Sequence, residues 1–392
     1  MKETAKFVDR HGTASLKWDL LERIYGDKDM LSMWVADMDF RCPEAVHEAM
    51  LEQMKVGAYG YSALHTRFMN AFAKWEEERH GYHVENDWLR YAPGVVPAVN
   101  WCVATMTEPG DHVMTLPPVY YPFFSAVKDH GRELVLCPLV RIGERYEMNL
   151  ADMEAQIVGQ NVKMLIFCSP HNPVGRVWTR EELEAVVALC RKYNVVLVSD
   201  EIHHDFVFAP ARHTPMGTLD EHVVTLTAPS KTFNLAGLQT AVAVIPDEEL
   251  RRKWDDFAKK YHVNSGGTFG FLAGEAAYLH GADWLESAKE IIYGNYLLMR
   301  EKLLAALPEL VIPPLEGTYL MWVDFAAYIK PEDQKEFFAK KCKLALDYGA
   351  WFRGDADTFV RFNLATSREI VEKAADILIA EMKENRMPDH ML

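Results

Sequence analysis

The feature that most constrains the fold is a series of short apolar segments separated by amphipathic stretches through the middle of the chain. "DHVMTLPP" (111–118), "ELVLCPL" (133–139), "VKMLIFCSP" (162–170), "NVVLVSD" (194–200), "HVVTLTAPS" (222–230) and "TAVAVIP" (240–246) read as strands. Several are apolar at consecutive positions, which suits strands covered on both faces by helices. Between two of them, "TREELEAVVALCRKY" (179–193) has helical spacing. Thr179 and Glu182 fit a capping box, and Leu183, Val186, Val187 and Cys190 make one apolar stripe. Strand, helix, strand in this order predicts an α/β fold with a mostly parallel sheet and crossover helices.

The two ends read differently. Residues 1–46 lack the alternation. From about residue 287 the chain reads as helix, then strand at "GTYLMWVDF" (317–325), helix through about 332–348, strand at "TFVRFNLA" (358–365), and helix again. With 392 residues, two domains are the expectation. The pattern places a large domain at 47–286 and a smaller α+β domain at 287–392, with residues 1–46 as an N-terminal segment joining the small one.

Composition removes several function classes. The net charge of −15 argues against a general nucleic-acid binder. No apolar run approaches the roughly 18 residues of a membrane span. "MKETAKFVDRHG" has no apolar leader core, and the six cysteines form no CxxC pair, so reduced thiols in a cytoplasmic protein are expected.

Ligands of a parallel sheet bind at the carboxyl ends of its strands. The residues after the apolar runs therefore matter most: "SPHNPVG", "DEIHHDF" and "APSKTFNLAGLQ" bring Asn172, Asp200 and Lys231 to one edge. A metal is not expected there. Adjacent side chains of a continuing strand face opposite ways, so His203 and His204 do not share an ion, and no HExxH or zinc spacing is present. A nucleophile elbow, a dinucleotide fingerprint and a P-loop are also missing from the sequence. A lysine at a strand end beside a crevice can form a Schiff base with a carbonyl cofactor. A pyridoxal cofactor also needs an acid for its ring nitrogen, an aromatic ring over it, and donors for its phosphate. Asp200, Tyr120 or Tyr121, and the backbone of Gly94, Val95 and Val96 ahead of an apolar helical stretch meet those needs. Asn172 can donate to the phenolic oxygen.

"CSPHNPVG", "SDEIH" and "SKTFNLAG" together resemble the class I/II pyridoxal-phosphate aminotransferases of fold type I. "MWVADMDF" (33–40), "GYS" (60–62), "DEIHHDF" and "SKTFNLAGLQ" resemble, more closely, the MalY/PatB subfamily of cystathionine β-lyases, or C–S lyases. The likeness covers nearly the whole chain. It implies that Lys231 is the Schiff-base lysine, that Asp200 pairs with the ring nitrogen, and that Asn172 contacts the phenolic oxygen. It implies that Tyr120 stacks on the ring, that Ser230 and Thr227 help hold the phosphate, and that Tyr61 reaches the phosphate of the partner subunit in a homodimer. Arg361 is then the grip on the substrate carboxylate, with Tyr121, Val35 and Ala36 lining that pocket. Two departures from the broader aminotransferases match the lyase branch: His203 where a tyrosine is common, and Gln239 where an arginine is common. The implied activity is α,β-elimination from L-cystathionine or a cysteine S-conjugate, giving a thiol, pyruvate and ammonia. An aminotransferase is the competing enzyme reading, and a non-catalytic regulatory protein the competing reading outside catalysis.

Overall fold

A computed structural model describes residues 3–384. Its centre is a seven-stranded sheet. The strands are β1 (Leu89–Ala92), β2 (His112–Thr115), β3 (Glu133–Leu136), β4 (Val162–Cys168), β5 (Val196–Asp200), β6 (Val223–Thr227) and β7 (Ala241–Val244). Their spatial order is β1-β7-β6-β5-β4-β2-β3, and β7 alone runs against its neighbours. The apolar runs do become strands. β1, the edge strand "LRYA", was not expected, because Arg90 and Tyr91 interrupt any apolar run.

Burial on both faces explains the unbroken hydrophobicity. Met164, Ile166 and Cys168 of β4 pack with helix α2 (Val95–Met106), while Leu165 and Phe167 pack with α3 (Arg180–Lys192). The capping box of α3 is formed: the Glu182 N–H donates to Thr179 Oγ1 at 3.2 Å, and the Thr179 N–H donates to Glu182 Oε2 at 2.7 Å. Such a cap stabilises a helix by about 0.5–2 kcal/mol.

A second sheet follows, of β8 (Leu320–Asp324), β9 (Asp347–Tyr348) and β10 (Phe359–Asn363), with β10 in the middle. Helices α4 (Ala282–Ala306) and α5 (Arg368–Glu384) accompany it. The expected division at 286/287 falls inside α4. The helix expected over 332–348 is short. A π-helical turn at Glu336–Lys341 gives way to extended segments Leu344–Ala345 and Asp347–Tyr348. Lys343 adopts a left-handed φ of 52°, which ends the helix. The residues beyond it are buried throughout, so their pattern does not separate helix from strand.

The N-terminal segment threads into this second unit. Leu31–Ser32 pairs in parallel with Leu344–Ala345, and the Asn363 N–H donates to the Met33 carbonyl at 2.8 Å. Residues 33–40 then form a strap beside the main sheet's carboxyl edge. Asn363 Nδ2 donates to the Val35 and Asp37 carbonyls at 2.6 Å each, and Asn234 Nδ2 donates to those of Met38 and Phe40 at 2.8 Å each. Asp39, fully buried, binds Lys17 Nζ at 2.7 Å and Trp18 Nε1 at 2.8 Å. Among the described residues, no helix is long and apolar enough to cross a membrane.

Candidate active site

The carboxyl edge of the main sheet opens on a cavity of about 180 Å³, whose walls include Ala36, Val95, Tyr120, Asn172, Asp200 and Lys231. Three neighbouring parallel strands supply its floor. Cys168 ends β4 opposite Asp200, which ends β5, and β6 leads one residue later into the helical turn Pro229–Thr232 that carries Lys231.

Asp200 is buried, and the one hydrogen bond to its carboxylate among the described residues comes from the Ile202 N–H at 3.1 Å. Burial pushes its carboxyl up to about 7, against the Ile202 N–H and Lys231, which favour the charged form. Lys231 borders the cavity, and its Nζ donates to the Ala36 carbonyl of the strap. Burial lowers its ammonium to about 8, with Arg361 acting in the same direction and Asp37 and Asp200 opposing.

Helix α2 starts at this cavity. Its N-cap is Gly94, with no side-chain cap and no acidic residue in the first turn. The first N–H groups of a twelve-residue helix and its positive dipole end therefore face the space lined by Val95 and Val96. This arrangement suits an anion. Ser230 lines the same space.

His203 lines the cavity with its Nδ1 unpartnered. Burial, Lys231 and Arg361 keep it far below the usual imidazole range, hence neutral. The strand ends at Asp200, where the apolar run ends. Turn hydrogen bonds from the His204 N–H to the Glu201 carbonyl and from the Phe206 N–H to the His203 carbonyl, both 2.9 Å, take over. His203 still faces the cavity, and His204 turns away to Glu76 and Asp205.

Arg361, at the centre of β10, is 2% exposed. Its Nη1 donates to Asn172 Oδ1 at 2.9 Å, its Nη2 donates to the Trp34 carbonyl at 3.1 Å, and its Nη2 also pairs with Asp347 across the strand register. Its Nε is buried without a partner. Because Oδ1 of Asn172 is taken by Arg361, its amide NH2 is the group left to donate into the cavity.

The structure does not place every expected residue at the cavity. Tyr121 sits behind Tyr120, with ring centroids 5.4 Å apart, and packs on Trp351 and Phe352. Thr227 Oγ1 meets His204 Nδ1 at 3.0 Å and is not a wall residue. The clean strand geometry of β6 turns it to that side. Gln239 offers its backbone carbonyl to the Tyr91 hydroxyl at 3.1 Å. Tyr61 is fully exposed in a separate groove with Tyr59 and Phe269.

Four residues that matter here were missed. Tyr319 donates its hydroxyl to the Ala36 carbonyl at 2.8 Å and packs edge-on against His203 at 5.4 Å. Asp347 holds Arg361, while Asn234 and Asn363 hold the strap. The signals were a tyrosine directly before β8, whose partner Ala36 is far away in sequence, and a lone aspartate inside an apolar stretch, whose partner is Arg361 on the neighbouring strand.

The chain matches the aminotransferase class I and II family over residues 28–378. It belongs to that family. It is 37% identical to cystathionine beta-lyase PatB of Bacillus subtilis (strain 168), over 92% of this chain and 95% of that protein. It is 29% identical to protein MalY of Escherichia coli (strain K12), over 98% and 100%. Among solved structures, cystalysin from Treponema denticola, which contains pyridoxal 5'-phosphate, superposes with a TM-score of 0.93 at 31% identity, covering 98% of this chain and 99% of that one. The PLP-bound C-S lyase from Staphylococcus hominis superposes at 0.91 and 29%, covering 96% and 97%. The fold is that of the pyridoxal-phosphate-dependent transferases, as the sequence motifs imply.

Proposed function

We propose that this chain is a pyridoxal-phosphate-dependent carbon–sulfur β-lyase. It cleaves L-cystathionine or a related cysteine S-conjugate to a thiol, pyruvate and ammonia. The observation that carries the reading is the pair of Lys231 and Asp200 facing one cavity, in a chain 37% identical to a cystathionine beta-lyase.

The residues fit the cofactor part by part. A buried carboxylate with no cationic partner is unfavourable, and a protonated ring nitrogen supplies the missing charge at Asp200. The uncapped start of α2, with Ser230, would hold the phosphate, Tyr120 would pack on the ring, and Asn172 and His203 would hold its polar groups. When bound, pyridoxal phosphate supplies an electron sink that stabilises negative charge at the substrate α-carbon.

The chain's own groups do the rest. Lys231 is the base for the α-proton. Burial lowers its ammonium to about 8, so it gives up its proton more readily than an ordinary lysine, which suits general-base work. The Ala36 carbonyl holds that amine at the cavity wall. Arg361 binds the substrate carboxylate through its fork, which Asp347 and Asn172 pre-orient. Ala36 lies on the substrate side.

The working form is a homodimer with shared sites. Tyr61 projects from a surface that also exposes Leu51, Met54, Val56 and Tyr59, and an exposed apolar patch of this kind marks an interface. Tyr61 of one protomer reaches the phosphate held by its partner. The test of function is incubation with L-cystathionine in the absence of any keto acid. Free thiol and pyruvate support the reading, and their absence removes it.

A further inference from the structure

The proposed mechanism leaves part of the turn after β5 unused. His204 turns from the cavity toward the end of helix α1 (Thr66–His80), where Glu76 and His80 stand one helical turn apart. One ligating atom from each of Glu76, His80 and His204 lies within 4.8 Å of the other two. His204 Nε2 is 3.4 Å from Glu76 Oε1 and 3.3 Å from Asp205 Oδ2, and His80 Nε2 is 3.0 Å from Asp205 Oδ1. These side chains are at most 8% exposed.

We infer that Glu76, His80 and His204 form a second site, separate from the catalytic cavity, for one divalent transition cation of the zinc type. His203 faces the catalytic cavity and is no partner for His204. The partners are instead on α1, more than a hundred residues earlier.

Three observations support the site. Glu76 Oε1 and His204 Nε2 are both buried without a well-formed hydrogen bond, and they face each other at 3.4 Å. The other ring nitrogen, His204 Nδ1, lies 2.6 Å from the Glu201 carbonyl. Donation there holds a proton on Nδ1, so Nε2 is the atom at which a metal would take the place of a proton, the outer-shell arrangement of ligating histidines. The spacing is also near what a cation needs. Bonds of about 2.0–2.2 Å in a tetrahedral shell put ligand atoms about 3.3–3.6 Å apart. Glu76 and His204 already meet this, and a ligating atom of His80 lies within 4.8 Å of both.

Charge favours a cation as well. Glu76 and Asp205 face the imidazoles directly, and Glu201 stands behind, bound to His213 Nε2 at 2.9 Å. Opposing them are Arg79, whose Nε is 3.4 Å from Asp205 while its Nη2 pairs with Glu286 at 2.6 Å, and Lys289, which also acts on Asp205. The competing occupant is a proton. Burial opposes charge on His204, but Asp205 and Glu76 outweigh it and push its imidazole up to about 10.

The experiment titrates chelator-treated holoenzyme with Co²⁺, followed by its visible ligand-field bands, then displaces it with Zn²⁺. One Co²⁺ per chain is expected, with nitrogen and oxygen ligation and no thiolate band. His80→Ala should weaken uptake at least about 100-fold, and His80→Asn serves if the alanine variant does not fold. His83→Ala, removing an exposed histidine three residues along, should leave uptake unchanged. No stoichiometric uptake at about 100 µM Co²⁺ means that a proton alone occupies the cluster, which overturns the inference. Uptake that survives loss of His80 overturns it too. Neither readout depends on the lyase reaction.

Discussion

Arg361→Lys separates geometry from charge at the substrate anchor. The fork of Arg361 makes three contacts at once: Asn172 Oδ1 at 2.9 Å, the Trp34 carbonyl at 3.1 Å, and Asp347. A lysine ammonium keeps the positive charge beside Asp347, so no buried carboxylate is stranded. It cannot span Asn172 and Asp347 together or present two parallel donors to a carboxylate. Losing a charged hydrogen bond and its alignment is worth about 2–3 kcal/mol, or roughly 30- to 160-fold in kcat/KM. Arg361→Ala strands Asp347 as well, and removing one partner of a buried pair destabilises by about 3–5 kcal/mol. The expected pattern is therefore a lysine variant that folds with a normal cofactor spectrum but turns over poorly, and an alanine variant that is also less stable. The assay is steady-state thiol release alongside thermal denaturation. A lysine variant within twofold of the parent kcat/KM refutes the bidentate role of Arg361.

Other expectations concern the cofactor. Borohydride should fix pyridoxal phosphate covalently to the Lys231 peptide, identified by mass spectrometry, and Lys231→Ala should show no fixed cofactor there. Tyr61→Phe should weaken cofactor retention in the dimer by about 1–3 kcal/mol, measured by dialysis, with unchanged retention removing Tyr61 from the phosphate site. The rate at which apoprotein captures pyridoxal phosphate should rise with pH and level off above an inflection near 8, the value to which burial lowers Lys231. An ordinary lysine would keep rising to about 10.4. The same depression has a stability sign: between about 8 and 10.5 the unfolded chain binds more protons at Lys231 than the folded one, so this group makes apoprotein stability rise with pH in that window.

The main sheet was legible because parallel strands buried on both faces show as unbroken apolar runs, as in β4. Their ends pointed straight to Asn172, Asp200 and Lys231, since a parallel sheet collects those ends on one edge. The edge strand β1 was not legible, because half-buried Arg90 and Tyr91 erase its pattern. The segment around Asp347 was misread as helix, and with it went the partner of Arg361. Long-range pairings carried no local signal at all. Tyr319 meeting the Ala36 carbonyl, Asn363 holding the strap, and His204 meeting Glu76 and His80 each join residues more than a hundred positions apart. The residues alone leave the stacking ring open between Tyr120 and Tyr121, and the resemblance points to Tyr120; the packing has Tyr120 at the cavity and Tyr121 behind it, away from the substrate pocket expected for it.

The central claim is elimination, and product stoichiometry tests it most directly. Purified protein loaded with pyridoxal phosphate is given L-cystathionine and no keto acid, and pyruvate, ammonia and homocysteine are measured over many turnovers together with the cofactor's absorbance. The account predicts the three products in equal amounts, formed steadily, with no build-up of pyridoxamine phosphate. Product that appears only when a keto acid is supplied, with the amino group recovered on that acceptor, would contradict it and make the protein an aminotransferase.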